Sequence, residues 1–101
     1  MSRRDQLVEL LKSDPDDVFL LYALAMASLS EGEIQEGLQL FDRVIERDAN
    51  YVAAYFQKGQ ALARESEAEK AQEVIRRGIE VARQIDDQHA AGEMTAFLET
   101  L

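Results

Sequence analysis

Two adjacent carboxylate pairs, Asp16-Asp17 and Asp86-Asp87, and a single histidine, His89, are the groups in this sequence best suited by type to acid–base chemistry. Two carboxylates in one site push their pKa values apart, and imidazole titrates near neutrality. All three groups, however, stand at the start of a predicted helix. There an acidic side chain caps free backbone N–H groups and opposes the helix dipole. His89 has no evident partner for proton relay. Capping is the preferred reading of the pairs, and His89 reads as a bystander. Glu31, Glu33, Glu36, Glu65, Glu67 and Glu69 crowd the helix junctions without the Asp-x-Asp-x-Asp-Gly order of a calcium loop, so they read as solvated turns. There is no glycine-rich phosphate loop, no paired-histidine zinc motif and no cysteine. The expectation is a protein that is not an enzyme and takes no metal or cofactor.

Charge narrows the partner class. Twenty acidic residues oppose 11 basic ones, for a net charge of -9. Nucleic acids and anionic membrane surfaces select for lysine and arginine, so neither is an expected partner. The Arg3-Arg4 and Arg76-Arg77 pairs read as solvated surface. The opening "MSRRDQLVELLKSD" is interrupted by Glu9 and Lys12, unlike a signal peptide, and the apolar run 18–27 is too short to cross a bilayer. A cytoplasmic protein is expected.

The elements that must position any site are helical. Apolar residues recur with helical spacing between the polar breaks "SDPDD", "SEGE", "RDAN", "RESEAE" and "QIDDQ", and no useful stretch alternates with period two. The pattern predicts about six helices, near 3–12, 17–29, 33–47, 51–64, 67–84 and 88–100. Ser2 with Asp5 forms a predicted capping box; Asp16 or Asp17, Asn50 and Asp87 are predicted caps of later helices.

The breaks recur with a period of 34. This shift places Val18 on Val52, Ala27 on Ala61, Arg43 on Arg77, Ile45 on Ile79 and Glu46 on Glu80. It also aligns the large residues Leu21 with Tyr55 and Tyr22 with Phe56, and the small residues Ala25 with Gly59 and Gly37 with Ala71. In 18–51 the series Leu21, Leu24-Ala25, Ser28, Gly37, Phe41, Ala49, and in 52–85 the series Tyr55, Lys58-Gly59, Leu62, Ala71, Ile75, Arg83, resembles the tetratricopeptide repeat family, in the manner of short bacterial members. There is no tryptophan, Lys58 replaces a leucine, and two closing prolines are missing.

The resemblance implies an all-α, right-handed superhelix of antiparallel helix pairs. It is laid out as one domain over 1–101, with an N-terminal half repeat at 3–15, repeats at 18–51 and 52–85, and a C-terminal capping helix at 88–101. Gly59 and Ala71 are then expected where two helices cross closely, as are Ala25 and Gly37. Met94, Phe97, Leu98 and Leu101 carry the spacing of a first helix, with Leu98 in the small position and no second helix after it.

The resemblance also implies a concave groove lined by first helices. By phase it carries Phe19, Tyr22, Ala23, Met26 and Ser30, then Ala53, Phe56, Gln57, Gln60 and Arg64. The Lys, Arg and Asn with which some members grip a terminal carboxylate are replaced by Tyr22, Met26, Gln57 and Gln60, so that clamp is not carried over. The expected function is a non-catalytic interaction module or adaptor for a protein or peptide. The alternative is a structural subunit that self-associates through its apolar groove or open ends; the chain is a monomer or a weak homo-oligomer.

Overall fold

Helix ends in this chain are set by short local signals. The structure, a computed structural model, describes residues 1–101 and has six helices and no strand: α1 (Arg3–Ser13), α2 (Val18–Ser30), α3 (Ile34–Arg47), α4 (Val52–Arg64), α5 (Ala68–Gln84) and α6 (Gln88–Leu98). At α1 the Ser2 hydroxyl accepts from the Asp5 amide (3.0 Å) and the Asp5 carboxylate from the Ser2 amide (3.4 Å), the reciprocal capping box. Asp17 accepts from the Leu20 amide (3.0 Å) and Asp87 from the Ala90 amide (3.1 Å). Asn50 is not the cap of α4. Tyr51 holds that position and makes no side-chain cap bond, because the helix begins one residue later than Asn50 requires.

Three turns share one design. After α2, α4 and α5, Gly32, Ser66 and Asp86 adopt left-handed φ values of 82°, 62° and 61°. In each turn the following amide reaches back to close the helix: Glu33 to the Ser28 carbonyl (2.8 Å), Glu67 to Leu62 (2.9 Å) and Asp87 to Ala82 (2.7 Å). These six-to-one bonds satisfy carbonyls that the helix leaves open. They also reverse the chain, so α2–α3, α4–α5 and α5–α6 are antiparallel neighbours.

The chain divides into two compact units, Met1–Asp48 and Ala49–Leu101. In the first, Leu7 of α1 joins Leu21, Leu24 and Ala25 of α2 and Leu40, Phe41 and Val44 of α3 in a buried core. Arg4 is not simply solvated. Its guanidinium grips both oxygens of Glu36 (2.8 and 2.6 Å), and Glu36 also accepts from the buried Ser28 hydroxyl (2.8 Å). Arg47 pairs with Asp16 (2.9 Å) and Arg43 donates to the Pro15 carbonyl (3.3 Å), tying the end of α3 to the α1–α2 turn.

The Arg4 guanidinium, and after it the Ser28 hydroxyl, hold the Glu36 carboxyl below its ordinary value of 4.5. A carboxylate whose folded pKa is depressed adds stability above its unfolded pKa and loses that stability as pH falls through the folded value. Stability is therefore expected to decline as pH drops below about 4.5, and Glu36→Gln is expected to flatten the Glu36 share of that decline. Acid unfolding followed by circular dichroism checks this. Both partners are about one-third exposed (31% and 37%), so the effect is expected to be modest and to shrink in salt.

In the second unit, Ala54, Tyr55, Ala61 and Leu62 of α4 meet Ala71, Ile75, Ile79 and Ala82 of α5, and α6 adds Ala91 and Met94. The Tyr55 ring is buried and its hydroxyl donates to the Ala49 carbonyl (2.7 Å). Gly59 has the close approach expected of it. A Cβ there would lie 2.3 and 2.5 Å from Ile75 Cδ1 and Cγ1, with the Ala71 carbonyl oxygen at 3.7 Å. Gly78, which the repeat pattern did not single out, is as crowded: a Cβ would lie 2.7 Å from both Met94 Sδ and Tyr55 Cβ. No helix is long and apolar enough to cross a membrane.

Candidate docking face

α2, "VFLLYALAMASLS", is almost wholly apolar, yet a helix in a small unit needs only one apolar stripe for its core. Leu21, Leu24, Ala25 and Ser28 take that role and are buried. Phe19, Tyr22 and Met26, spaced three and four apart, line another face. Phe19 is 67% exposed, Tyr22 and Met26 are half-buried, and Ser30 at the end is exposed. The Tyr22 ring leans on Phe41 of α3 (centroids 5.9 Å apart, 57° tilt), which fixes its orientation. Beside this face, Ala23, Met26 and Ala27 floor a hollow of about 610 Å³ that Ser2, Arg3, Ser30 and Glu31 border.

The remaining residues of the expected groove belong to α4 of the second unit. Gln57 and Gln60 are half-buried; Ala53 and Arg64 are exposed. Phe56 is half-buried and engaged within its own unit. It packs against the cluster of Ile75, Ile79, Ala82, Ala91 and Met94, and its ring meets Phe97 edge-on (5.8 Å, 60°). Its aromatic surface is thus partly taken up by α6.

The acid–base candidates occupy structural positions. Asp17 and Asp87 cap helices, Asp16 pairs with Arg47, and Asp86 accepts from Gln88 Nε2 (3.1 Å). His89 does have a partner that sequence reading missed: Glu93, one turn later, lies 3.1 Å from its Nε2. The pair sits on open surface, with the His89 side chain 87% exposed. No group of three histidine, cysteine or carboxylate side chains converges to hold a metal.

A sequence model of the tetratricopeptide repeat matches residues 52–85. The solution structure of a tetratricopeptide repeat domain protein from Salinibacter ruber is 32% identical, with a TM-score of 0.81 over 86% of this chain and 88% of that one. The chain belongs to the tetratricopeptide repeat family, a non-catalytic protein-interaction fold. More distant structures share the architecture. The TPR2B domain of yeast Sti1, solved in complex with pHsp70, is 22% identical with a TM-score of 0.87, over 95% of this chain and 77% of that one. PcrH, in complex with the chaperone binding region of PopD, is 17% identical with a TM-score of 0.88, over 96% and 74%. No curated protein matches in sequence.

Proposed function

We propose that the protein is a non-catalytic adaptor whose α2 face seats an apolar peptide or helix of a partner protein. One observation carries this reading: α2 is apolar beyond what its core needs, with Phe19 67% exposed and Tyr22 and Met26 left half-buried beside it. Accessible aromatic and methionine side chains suit such ligands, because they adapt in shape and bury large area. The peptide segments seated by two fold neighbours, pHsp70 on Sti1 and the PopD region on PcrH, support the class of partner. The same reading divides the chain into a half repeat at 3–15, repeats at 18–51 and 52–85, and a cap at 88–101. The family match over 52–85 supports the bounds of the second repeat alone.

Phe19→Ser tests the face with little risk to the fold. An exposed position of this kind changes stability by about 0.5 kcal/mol or less. An apolar anchor contributes about 2 kcal/mol, so affinity for a partner recovered by the wild-type protein is expected to fall roughly 30-fold. Full affinity in the variant would place the contact elsewhere.

The second reading, a self-associating structural subunit, draws on α1, where Leu10 is 56% and Val8 38% exposed. Light scattering at several concentrations separates the two. The adaptor keeps a monomer mass, whereas an assembly subunit grows with concentration.

A further inference from the structure

The basic residues of this chain are outnumbered, yet the three arginines of α5, Arg76, Arg77 and Arg83, make no ion pair, and two of them share a groove. Arg4, Lys12, Arg47 and Lys70 are each paired with a carboxylate. Arg76 and Arg83 make no ion pair, although acids outnumber bases by 20 to 11. They border a groove of about 560 Å³ between α5 and α6, whose apolar floor includes Ile79 and Leu98. The Thr95 hydroxyl at its edge is already used by the Ala91 carbonyl (2.7 Å). Seven residues separate the two arginines, which puts them on one side of α5 about 10 Å apart along its axis. Glu80 borders the groove between them.

We infer that this groove is a second docking surface, distinct from the α2 face, for an acidic amphipathic helix of a partner protein. Two acidic side chains seven residues apart on such a helix match the arginine spacing. A leucine at the third or fourth position between them would lie over Ile79 and Leu98. Glu80 repels an acid at the centre and so enforces apolar character there, while the two guanidinium groups select carboxylates at the ends. A basic helix of the same shape would leave both arginines facing like charge.

The test uses the full chain and two fluorescein-labelled helical peptides of glutamate, leucine and alanine. One carries Glu at positions i and i+7 with Leu at i+3 and i+4; the other has Lys in place of each Glu. Anisotropy titration is expected to show saturable binding of the acidic peptide and at least roughly tenfold weaker binding of the basic one. Amide shifts are expected to cluster on Ile79, Thr95 and Leu98. Arg76→Glu with Arg83→Glu should weaken the acidic peptide by at least roughly tenfold at an unchanged melting temperature; Arg76→Gln with Arg83→Gln serves if the double reversal perturbs folding. Phe19→Ser should leave this binding intact, which separates the groove from the α2 face. Absence of saturable binding, equal affinity for both peptides, indifference to loss of the arginines, or shifts centred on α2 would each overturn the assignment.

Discussion

Replacing Gly59 with leucine is expected to destabilise the chain by about 3 kcal/mol, the upper end of the usual range for overpacking. A Cβ alone would already lie 2.3 Å from Ile75 Cδ1 and 2.5 Å from Cγ1. Ile75 is fully buried in the cluster that α6 closes, so it has no free rotamer into which to retreat. Leucine adds three more carbons at the same crossing. Alanine is the informative companion. It gains about 1 kcal/mol of helix propensity over glycine but meets the same Cβ overlap, so Gly59→Ala is expected to be neutral to mildly destabilising rather than stabilising. For a chain of this size, 3 kcal/mol lowers the melting temperature by more than about 10 °C. A melting temperature unchanged in Gly59→Leu would remove the close-crossing argument.

Deleting residues 88–101 is expected to have the next largest effect. α6 contributes Ala91 and the fully buried Met94, which cover Ile75, Ile79 and Ala82. Phe97 covers an edge of Phe56. Without the helix, that apolar surface on α4 and α5 meets water, and a repeat unit cannot bury such a face alone. Aggregation or a broadened, non-cooperative melt is the expected outcome. Met94→Ala isolates the principal contact and is expected to cost about 2–5 kcal/mol. A truncated chain that stays monomeric and melts as the full one does would make α6 a passenger.

What could be read from sequence follows from how local each signal is. The box of Ser2 and Asp5 and the caps Asp17 and Asp87 act within three residues, and all three form. The 34-residue recurrence carries the small positions, so the sequence alone places Gly59 at a crossing. The pairing of Arg4 with Glu36 was not legible, because 32 residues separate them and they meet only once α1 lies against its unit. Gly78 was hidden by the repeat itself: its counterpart 34 residues earlier is Val44, a buried side chain. Ser66 and Asp86 take the left-handed turn position that glycine fills at Gly32; the 34-residue shift points to Ser66 only through Gly32, and Asp86, in a longer helix, falls outside that register. Phe56 has the phase of Tyr22, but α6 reaches its ring, and that contact depends on where the cap lies on α5.

The central claim is that the partly exposed stripe of Phe19, Tyr22 and Met26 on α2 touches a partner. Site-specific photocrosslinking tests it most directly, with a benzophenone amino acid placed at position 19 or at the exposed control position 46, in cells that express the protein natively. The account predicts a discrete heavier adduct from position 19, lost when Met26 is also replaced by serine, and no adduct from position 46. An adduct from position 46 with none from position 19 would contradict it.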